Sequence, residues 1–383
     1  MSTVIDDSLK VYRKEFPITS KTIFLDHAAV SPMSRGAANA IQKFVEESYS
    51  LGSARFDVWG ERVEEVRSTA ASLIGAKPGE IAFVPNTSTG INHVARGLSW
   101  YRGEKVVAFS GDFPANVYPW MNLVQEGVEF AMAPESKSRI KVKDIADLVG
   151  NNTKLLTLST VMFSSGVRND LEAIGSFCCD EGVLFFVDGI QSLGAFPMDV
   201  KRCNIDFLAA DSHKWLLGPE GAGILYISEA FGDRVKPAYV GWKSVENALE
   251  FLPYHFNLRK DASRFEPGSL NLMEIFAMGA SMSLIMEIGV ERIAKKIIEL
   301  TDKLVEGLEK RGWKVISPRN NEAEKSGIVA FEGNVNTSEV VKKLSEEKII
   351  IAERQGRFRV SPHFYNTFDE IETLLEAVGE NPV

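Results

Sequence analysis

The sequence predicts an α/β protein built on a mainly parallel sheet of seven strands. Between positions 81 and 227, seven short apolar segments have the length of strands. Several are continuously apolar rather than alternating, which is typical of strands covered on both faces. Helix-like stretches lie between them, and this alternation indicates a layered α/β architecture. The segments are IAFVP (81–85), KVVAFS (105–110), VEFAMA (128–133), LLTLST (155–160), LFFVD (184–188), FLAAD (207–211) and AGILYI (222–227).

The pattern changes from about residue 271 and indicates a second, smaller α/β unit. A long helical region there is interrupted near Gly289. Short strand-like segments follow (WKVIS, GIVAF, KIIIAE and RFRVS), and a last helix ends near the C-terminus. We therefore predict a large domain over residues 20–285 and a small C-terminal domain over residues 286–383. The pattern leaves open which domain residues 1–19 pack on.

Length and composition exclude several classes of function. The chain has 383 residues, 45% of them hydrophobic and 25% charged, and a net charge of −9. An acidic chain of this kind is not expected to bind nucleic acid or an anionic membrane, because both require a basic surface. No stretch approaches the roughly 20 apolar residues of a membrane span, and the N-terminus lacks the apolar segment of a signal peptide. We expect a cytoplasmic protein.

The three cysteines predict neither a metal site nor a disulfide framework. Cys178 and Cys179 are adjacent, Cys203 lies apart, and none belongs to a C-x-x-C or similar metal-binding pattern. We expect ordinary thiols in a reducing compartment and no bound metal.

A candidate phosphate site follows the first strand of the large domain. In PNTSTGIN (85–92) a strand changes into hydroxyl-bearing residues and then into a predicted helix. The first N–H groups of a helix have no partner within it, so they bind anions. Thr87 and Ser88 add hydroxyl donors. Taken alone, this pattern is more typical of an ordinary Ser/Thr helix cap than of a phosphate site.

Two further strand ends carry reactive side chains. Asp188 ends LFFVD, with Gln191 three residues later, and FLAADSHKW places His213 and Lys214 just after a buried strand. Ligands of open α/β sheets bind at the carboxyl ends of strands. Each of these residues alone has an ordinary structural explanation. Together with the phosphate site, however, they provide what pyridoxal phosphate (PLP) requires: a lysine, an acid for its ring nitrogen and a phosphate cradle.

These motifs resemble the class V aminotransferase family of PLP enzymes, which includes cysteine desulfurases, kynureninases and isopenicillin epimerase-like proteins. The resemblance extends from FLDHAAVSP (24–32) to YNT (365–367). It is carried by VDGIQS, DSHKWLLGPEGAGILY, RFEPGSLN and RVSPHFYNT, in the order that the family has them. The resemblance implies a fold type I PLP enzyme with the two domains above.

The resemblance also implies a role for each site residue. Lys214 would form the Schiff base with PLP and move the Cα proton of the substrate. Asp188 would pair with the pyridine nitrogen of PLP, and Gln191 with its phenolic oxygen. Phe113 would stack on the ring, and Arg359 would bind the substrate α-carboxylate. The phosphate would be held by Thr87, Ser88 and His213. Ser269 matches a threonine that reaches the phosphate from a neighbouring subunit, which implies a homodimer with shared active sites.

Several positions depart from the desulfurase pattern. Phe113 replaces the usual stacking histidine, and Phe163 replaces an asparagine that contacts the phenolic oxygen. Asp211 occupies a position that is often serine, so Ser212 could make that phosphate contact instead. The segment SEEKIIIAERQGRF before Arg359 contains no cysteine, whereas desulfurases carry a reactive cysteine there.

We therefore expect a PLP enzyme that acts at the Cα of a small amino acid, a transaminase or an isopenicillin epimerase-like enzyme. The alternative is a C–S lyase that resembles cysteine desulfurase and releases sulfide without an enzyme persulfide. A non-catalytic PLP-binding protein is a third hypothesis, which the joint presence of Lys214, Asp188 and Arg359 disfavours.

Overall fold

The computed structural model describes residues 7–134 and 139–381 of the chain. Within these ranges the chain forms ten α-helices and thirteen β-strands. The helices are α1 (Arg35–Leu51), α2 (Phe56–Ile74), α3 (Thr87–Gly97), α4 (Tyr118–Met121), α5 (Val142–Ala146), α6 (Leu171–Asp180), α7 (Leu272–Ile288), α8 (Val290–Lys310), α9 (Thr337–Glu346) and α10 (Phe368–Val378). The strands are β1 (Ile23–Phe24), β2 (Ile81–Val84), β3 (Lys105–Phe109), β4 (Glu129–Ala133), β5 (Thr153–Ser159), β6 (Leu184–Asp188), β7 (Phe207–Asp211), β8 (Gly223–Ile227), β9 (Lys314–Val315), β10 (Val329–Glu332), β11 (Ile349–Ile350), β12 (Ala352–Arg354) and β13 (Arg357–Val360).

Strands β2 to β8 form one seven-stranded sheet in the order β2-β8-β7-β6-β5-β3-β4. The pairs between β7 and β4 are parallel, and β8 alone runs antiparallel to both of its neighbours. The predicted α/β fold with a mainly parallel seven-stranded sheet is therefore confirmed. Each of the seven apolar segments contributes one strand.

Apolar side chains cover this sheet on both faces, as its continuous apolar strands predict. Val107 and Leu208 pack in the cluster that contains helices α2 and α7. Their neighbours Val106 and Ala209 point to the opposite cluster, which contains α3. The carboxyl ends of β5, β6 and β7 consequently meet at one edge of a rigid, buried layer.

The C-terminal part of the chain forms a separate antiparallel sheet in the order β12-β13-β10-β9. Its apolar face packs against α8 and α10 in a third cluster, with Phe331 and Phe358 stacked at 4.7 Å between ring centroids. Strand β1 joins this part of the molecule by pairing with β11. Phe16 stacks on Tyr365 at 3.9 Å between centroids. The domain boundary at residue 285 stays a prediction.

The long helical region is divided as the sequence predicts. Helix α7 ends at Ile288 and α8 begins at Val290, with Gly289 between them at a φ of 90°. Only glycine adopts this backbone conformation without strain. In the described part of the chain, no single helix is long and apolar enough to cross a membrane; α7 and α8 meet that test only as a pair, bent by 81°.

Candidate active site

The carboxyl ends of two adjacent parallel strands bring Asp188 and Lys214 together. Asp188 is the last residue of β6 and is paired in register with Ala209 of β7, while Lys214 follows β7 by three residues. Both side chains are buried, with exposed fractions of 1% for Asp188 and 8% for Lys214. Since buried charges are rare unless they have a partner, this pair marks the edge of the sheet as a candidate reaction centre.

Asp188 has one carboxylate oxygen without a partner. Its Oδ1 accepts a hydrogen bond from the backbone N–H of Ile190 at 3.0 Å, whereas its buried Oδ2 has none among the described residues. Burial, followed by the charge of Asp112, raises the pKa of Asp188 to about 7, although the Lys214 ammonium opposes this shift. A buried acceptor of this kind lacks a donor, and the protonated ring nitrogen of PLP would provide one.

Lys214 lies between opposing charges, under an aromatic ring. Burial lowers the pKa of Lys214 to about 8; the Asp188 carboxylate opposes this shift and the Arg359 guanidinium adds to it. Lys214 Nζ lies 5.4 Å from the ring centroid of Phe113. That ring meets Phe163 edge-on at 5.2 Å between centroids. The predicted stacking residue is thus next to the predicted lysine.

Asp112, which sequence reasoning did not select, fixes the segment that carries Phe113. Its carboxylate accepts hydrogen bonds from the backbone N–H of Phe113 at 2.7 Å and from Asn116 Nδ2 at 3.0 Å. It also accepts from the backbone N–H and the hydroxyl of Ser159, at 3.0 and 2.5 Å. These bonds tie the loop after β3 to the end of β5. An acid after a strand is the sequence signal that could have identified it.

The predicted phosphate cradle is the N-terminus of α3. Asn86 caps this helix by accepting from the N–H of Thr89 at 2.8 Å, and Thr87 is its first residue. The Thr87 hydroxyl is buried without a partner among the described residues, while Ser88 is exposed. A Cβ at Gly90 would meet the Cβ of Ala209 at 2.8 Å, so glycine there lets α3 approach β7 closely. The free donors and the positive helix end fit a phosphate.

The side chains of the residues just before Lys214 lie close to other polar groups of the same chain. His213 Nδ1 lies 3.1 Å from Asp211 Oδ1, without the geometry of a hydrogen bond. The Ser212 hydroxyl is fully buried and donates to the carbonyl of Pro219. Its proton is therefore used inside the loop that follows β7. The phosphate contact of Ser212 stays a prediction.

Gln191 is held by two fixed hydrogen bonds. Its Nε2 donates to the carbonyl of Ala28 at 3.1 Å, and its Oε1 accepts from Trp215 Nε1 at 2.9 Å. The amide is thereby locked between the FLDHAAVSP segment and the residue next to Lys214. The second N–H of Nε2 could donate a hydrogen bond to the phenolic oxygen of PLP, and this contact stays a prediction.

Arg359 is buried and forms an ion pair with Asp26, a residue that the sequence analysis did not select. Its Nη2 donates to Asp26 Oδ1 at 3.0 Å, and its Nη1 donates to the Phe163 carbonyl at 3.0 Å. Its Nε is buried without a partner among the described residues. Burial raises the pKa of Asp26 and lowers that of Arg359. The guanidinium is held at the site with donors available for a carboxylate.

Ser269 lines a separate cavity. It lines a cavity of about 370 Å³ together with Phe56, Trp242 and Leu249, and none of the other predicted site residues lines that cavity. Within one chain the structure does not join Ser269 to Lys214. Its predicted contact from a neighbouring subunit stays a prediction.

These features define the class of protein. A lysine and a carboxylate at adjacent strand ends, an aromatic ring over the lysine, and a helix N-terminus with free donors form a site for PLP on a fold type I scaffold. The buried unpartnered oxygens of Asp188 and Thr87 test the fit, because each lacks the group that the ring nitrogen or the phosphate would supply. Lys214, Asp188, Thr87 and Phe113 would hold the cofactor.

Comparison with known proteins identifies the family. The aminotransferase class-V profile matches residues 23–374, and the chain therefore belongs to this family of PLP-dependent enzymes. A probable cysteine desulfurase of Pyrococcus abyssi is 29% identical over 391 residues, which cover 96% of each protein. An uncharacterized aminotransferase of Bacillus subtilis is 28% identical over 375 residues, covering 97% of this chain and 98% of that protein.

Solved structures agree on the fold. An apo cysteine desulfurase of Thermococcus onnurineus has a TM-score of 0.88 at 28% identity, covering 96% of each chain. A cystine C–S lyase, solved in complex with its reaction product cysteine persulfide, has a TM-score of 0.89 at 23% identity, covering 96% of this chain and all of the other. At this low identity the second likeness bears on the fold alone. The resemblance stated from the motifs is thus confirmed at the level of family and fold.

Proposed function

We propose that this enzyme removes the Cα proton of an α-amino acid, as a transaminase or an isopenicillin epimerase-like enzyme. The observation that carries the proposal is the buried Lys214, whose pKa burial lowers to about 8. An amine with this pKa is partly neutral near pH 7, which a base at Cα requires. When bound, PLP withdraws electrons from the bond that breaks at Cα. Arg359 would hold the α-carboxylate so that the Cα proton faces Lys214.

The positions of the cysteines support a reaction without an enzyme persulfide. All three lie in or near α6, two of them in the helix and Cys203 in the loop before β7. Burial raises the pKa of Cys178 to about 12 and that of Cys203 to about 11, so both remain thiols at neutral pH. The chain has no cysteine after Cys203. The segment before Arg359, where desulfurases carry their reactive cysteine, therefore provides none.

An absorbance spectrum of the PLP-loaded protein, recorded with single L-amino acids, tests the proposal. A transaminase would convert the lysine-bound cofactor to its amine form and release a 2-oxo acid, whereas an epimerase would regenerate the cofactor and yield the D-amino acid. The Lys214→Ala variant is the control and should show no turnover. Sulfide or pyruvate with the cofactor regenerated would favour the C–S lyase alternative. No spectral change with any amino acid would contradict a reaction at Cα.

We also propose that the active protein is a homodimer. An apolar surface supports this, and it includes Trp242 (41% exposed), Leu249 (69%) and Phe251 (66%), with the rings of Trp242 and Phe251 6.3 Å apart between centroids. Trp242 and Leu249 line the same cavity as Ser269. Large aromatic residues exposed together are typical of surfaces that a second chain covers. Light scattering should give twice the mass of the chain, and a double variant with Leu249→Asp and Phe251→Asp should be monomeric. A wild-type monomer that turns over substrate would refute the proposal.

A further inference from the structure

The strand hairpin that carries Arg359 presents three arginines on one face. Strands β12 and β13 are antiparallel, and their register pairs Ala352 with Arg359 and Arg354 with Arg357. Residues that are paired across two strands share a face, as do residues two apart on one strand. Arg354, Arg357 and Arg359 therefore point to the same side. Arg354 is the diagonal neighbour of Arg359, at roughly 7–8 Å between such positions.

Two of these arginines form an ion pair with a carboxylate, whereas the third forms none among the described residues. Arg359 pairs with Asp26 at 3.0 Å, and Arg357 Nε lies 3.1 Å from Glu332 Oε2. Arg354 donates only to the backbone carbonyl of the preceding residue, at 2.7 Å. No carboxylate among the residues that the structure describes lies within ion-pair distance of it. The side chain is half-buried, so water neutralises its charge only in part.

The charge of Arg354 affects the groups of the active site. Burial lowers the pKa of Lys214 and of Arg359, and the charge of Arg354 adds to both shifts. Burial raises the pKa of Asp26, and the charge of Arg354 opposes that rise. Together with the shared hairpin face, these effects place the Arg354 guanidinium near all three groups. Lys214 has the Asp188 carboxylate beside it and Arg359 pairs with Asp26, so both of these cations already have an anionic partner. Arg354 is the one member of this group that forms no ion pair among the described residues. Its charge therefore remains available for an anionic group of the substrate.

We propose that Arg354 binds a carboxylate on the substrate side chain, so that the preferred substrate is a dicarboxylic amino acid. This inference rests on the proposed function, because it assumes that Arg359 takes the α-carboxylate. Phe113 and Phe163 provide an apolar wall beside Lys214, against which the methylene groups of such a side chain can pack. The free donors of Arg354 then form charge-assisted hydrogen bonds to the distal carboxylate. Arg354 is a specificity-determining residue rather than part of the bond-breaking chemistry.

Binding of two unreactive four-carbon acids to the PLP-loaded protein tests the proposal by calorimetry. Succinate has two carboxylates and butyrate has one. We expect the wild type to bind succinate roughly 10- to 100-fold more tightly than butyrate, as a charged hydrogen bond predicts. Arg354→Gln should abolish this preference, and Arg354→Lys should retain part of it. Arg357→Gln is the matched control on the same hairpin face and should keep the full preference.

Equal affinity of the wild type for the two acids, or a succinate preference that survives Arg354→Gln, would overturn the inference. Turnover of L-aspartate and L-glutamate against L-alanine separates it from the proposed function. If L-alanine reacts as fast as both acidic substrates and Arg354→Gln changes nothing, this inference fails while the proposed function stands. If no amino acid reacts but the succinate preference depends on Arg354, the proposed function fails and the anion subsite stands.

Discussion

Replacing Asp188 by asparagine should stabilise the cofactor-free protein at pH 8 while it impairs cofactor binding. The buried Asp188 carboxylate has an oxygen without a donor, and its pKa rises from 3.8 to about 7. A rise of three units corresponds to about 4 kcal/mol of destabilisation when the unfolded state is ionised. An asparagine avoids this cost, but its Nδ2 lacks an acceptor, which costs about 2 kcal/mol. The expected net gain is about 2 kcal/mol.

The gain has a defined pH dependence. Because the folded-state pKa is raised, the cost to the wild type is absent below pH 3.8, grows as the pH rises toward 7, and is complete above that. The variant should therefore be less stable than the wild type near pH 4 and more stable at pH 8. For a chain of 383 residues, 2 kcal/mol corresponds to a rise in melting temperature of about 2–3 °C.

Differential scanning calorimetry of cofactor-free protein at several pH values measures this effect, and Asp112→Asn is its matched control. Asp112 is also a buried carboxylate, but four hydrogen bonds satisfy it, so an amide there must lose acceptors. We expect the control to be destabilised by about 2–4 kcal/mol at pH 8. A lower melting temperature for Asp188→Asn at pH 8, or a difference that does not change with pH, would refute the argument from burial.

Three further predictions address other parts of the site. Uptake of PLP by the cofactor-free protein should accelerate about tenfold between pH 7 and pH 9 and then level off, because the pKa of Lys214 is about 8 and only the neutral amine reacts. Stopped-flow absorbance measures this rate, and a rate that does not change with pH would exclude this pKa. Arg359→Ala should raise KM for amino acids by about 100-fold and leave PLP retention unchanged, and an unaltered KM in steady-state assays would remove Arg359 from the substrate site. Glu266→Gln should lower the free energy of unfolding by about 3–5 kcal/mol, since it breaks a buried pair with Arg67 that has contacts at 2.6 and 3.0 Å; an unchanged urea midpoint would contradict this.

Local sequence patterns predict most of the large sheet and the order of the site along it. Segments such as FLAAD are continuously apolar because both faces of their strand are buried, and this property is visible in a short window of sequence. The ends of these strands could be located for the same reason, which identified Asp188 and Lys214. The pairing of β1 with β11 could not be predicted this way. Its two strands have two residues each and are separated by more than 300 positions.

The hydrogen-bond and ion-pair partners of the site residues could not be predicted from the sequence either. Arg359 was selected from its motif, but its pairing with Asp26 joins residues 333 positions apart. The Ser212 hydroxyl shows that a suitable residue type does not reveal whether its polar atom already has a partner. Its residue type suits a phosphate contact, yet the turn that follows β7 brings the Pro219 carbonyl to it. A motif specifies which residue types are present, whereas the tertiary contacts decide which of their polar atoms remain available.

The atoms that remain available are the strongest structural argument for the function. Asp188 Oδ2, Thr87 Oγ1 and Arg359 Nε are all buried and have no partner among the described residues. Folded proteins satisfy most buried polar atoms, because each one left without a partner costs about 1–3 kcal/mol. These three come from separate segments, and each matches a different group: a protonated ring nitrogen, a phosphate and an α-carboxylate. Other buried atoms also lack a partner among the described residues, such as Arg319 Nε and Glu324 Oε2. What distinguishes the first three is their place on the residues of the predicted site, where PLP and an amino acid would supply the missing partner to each.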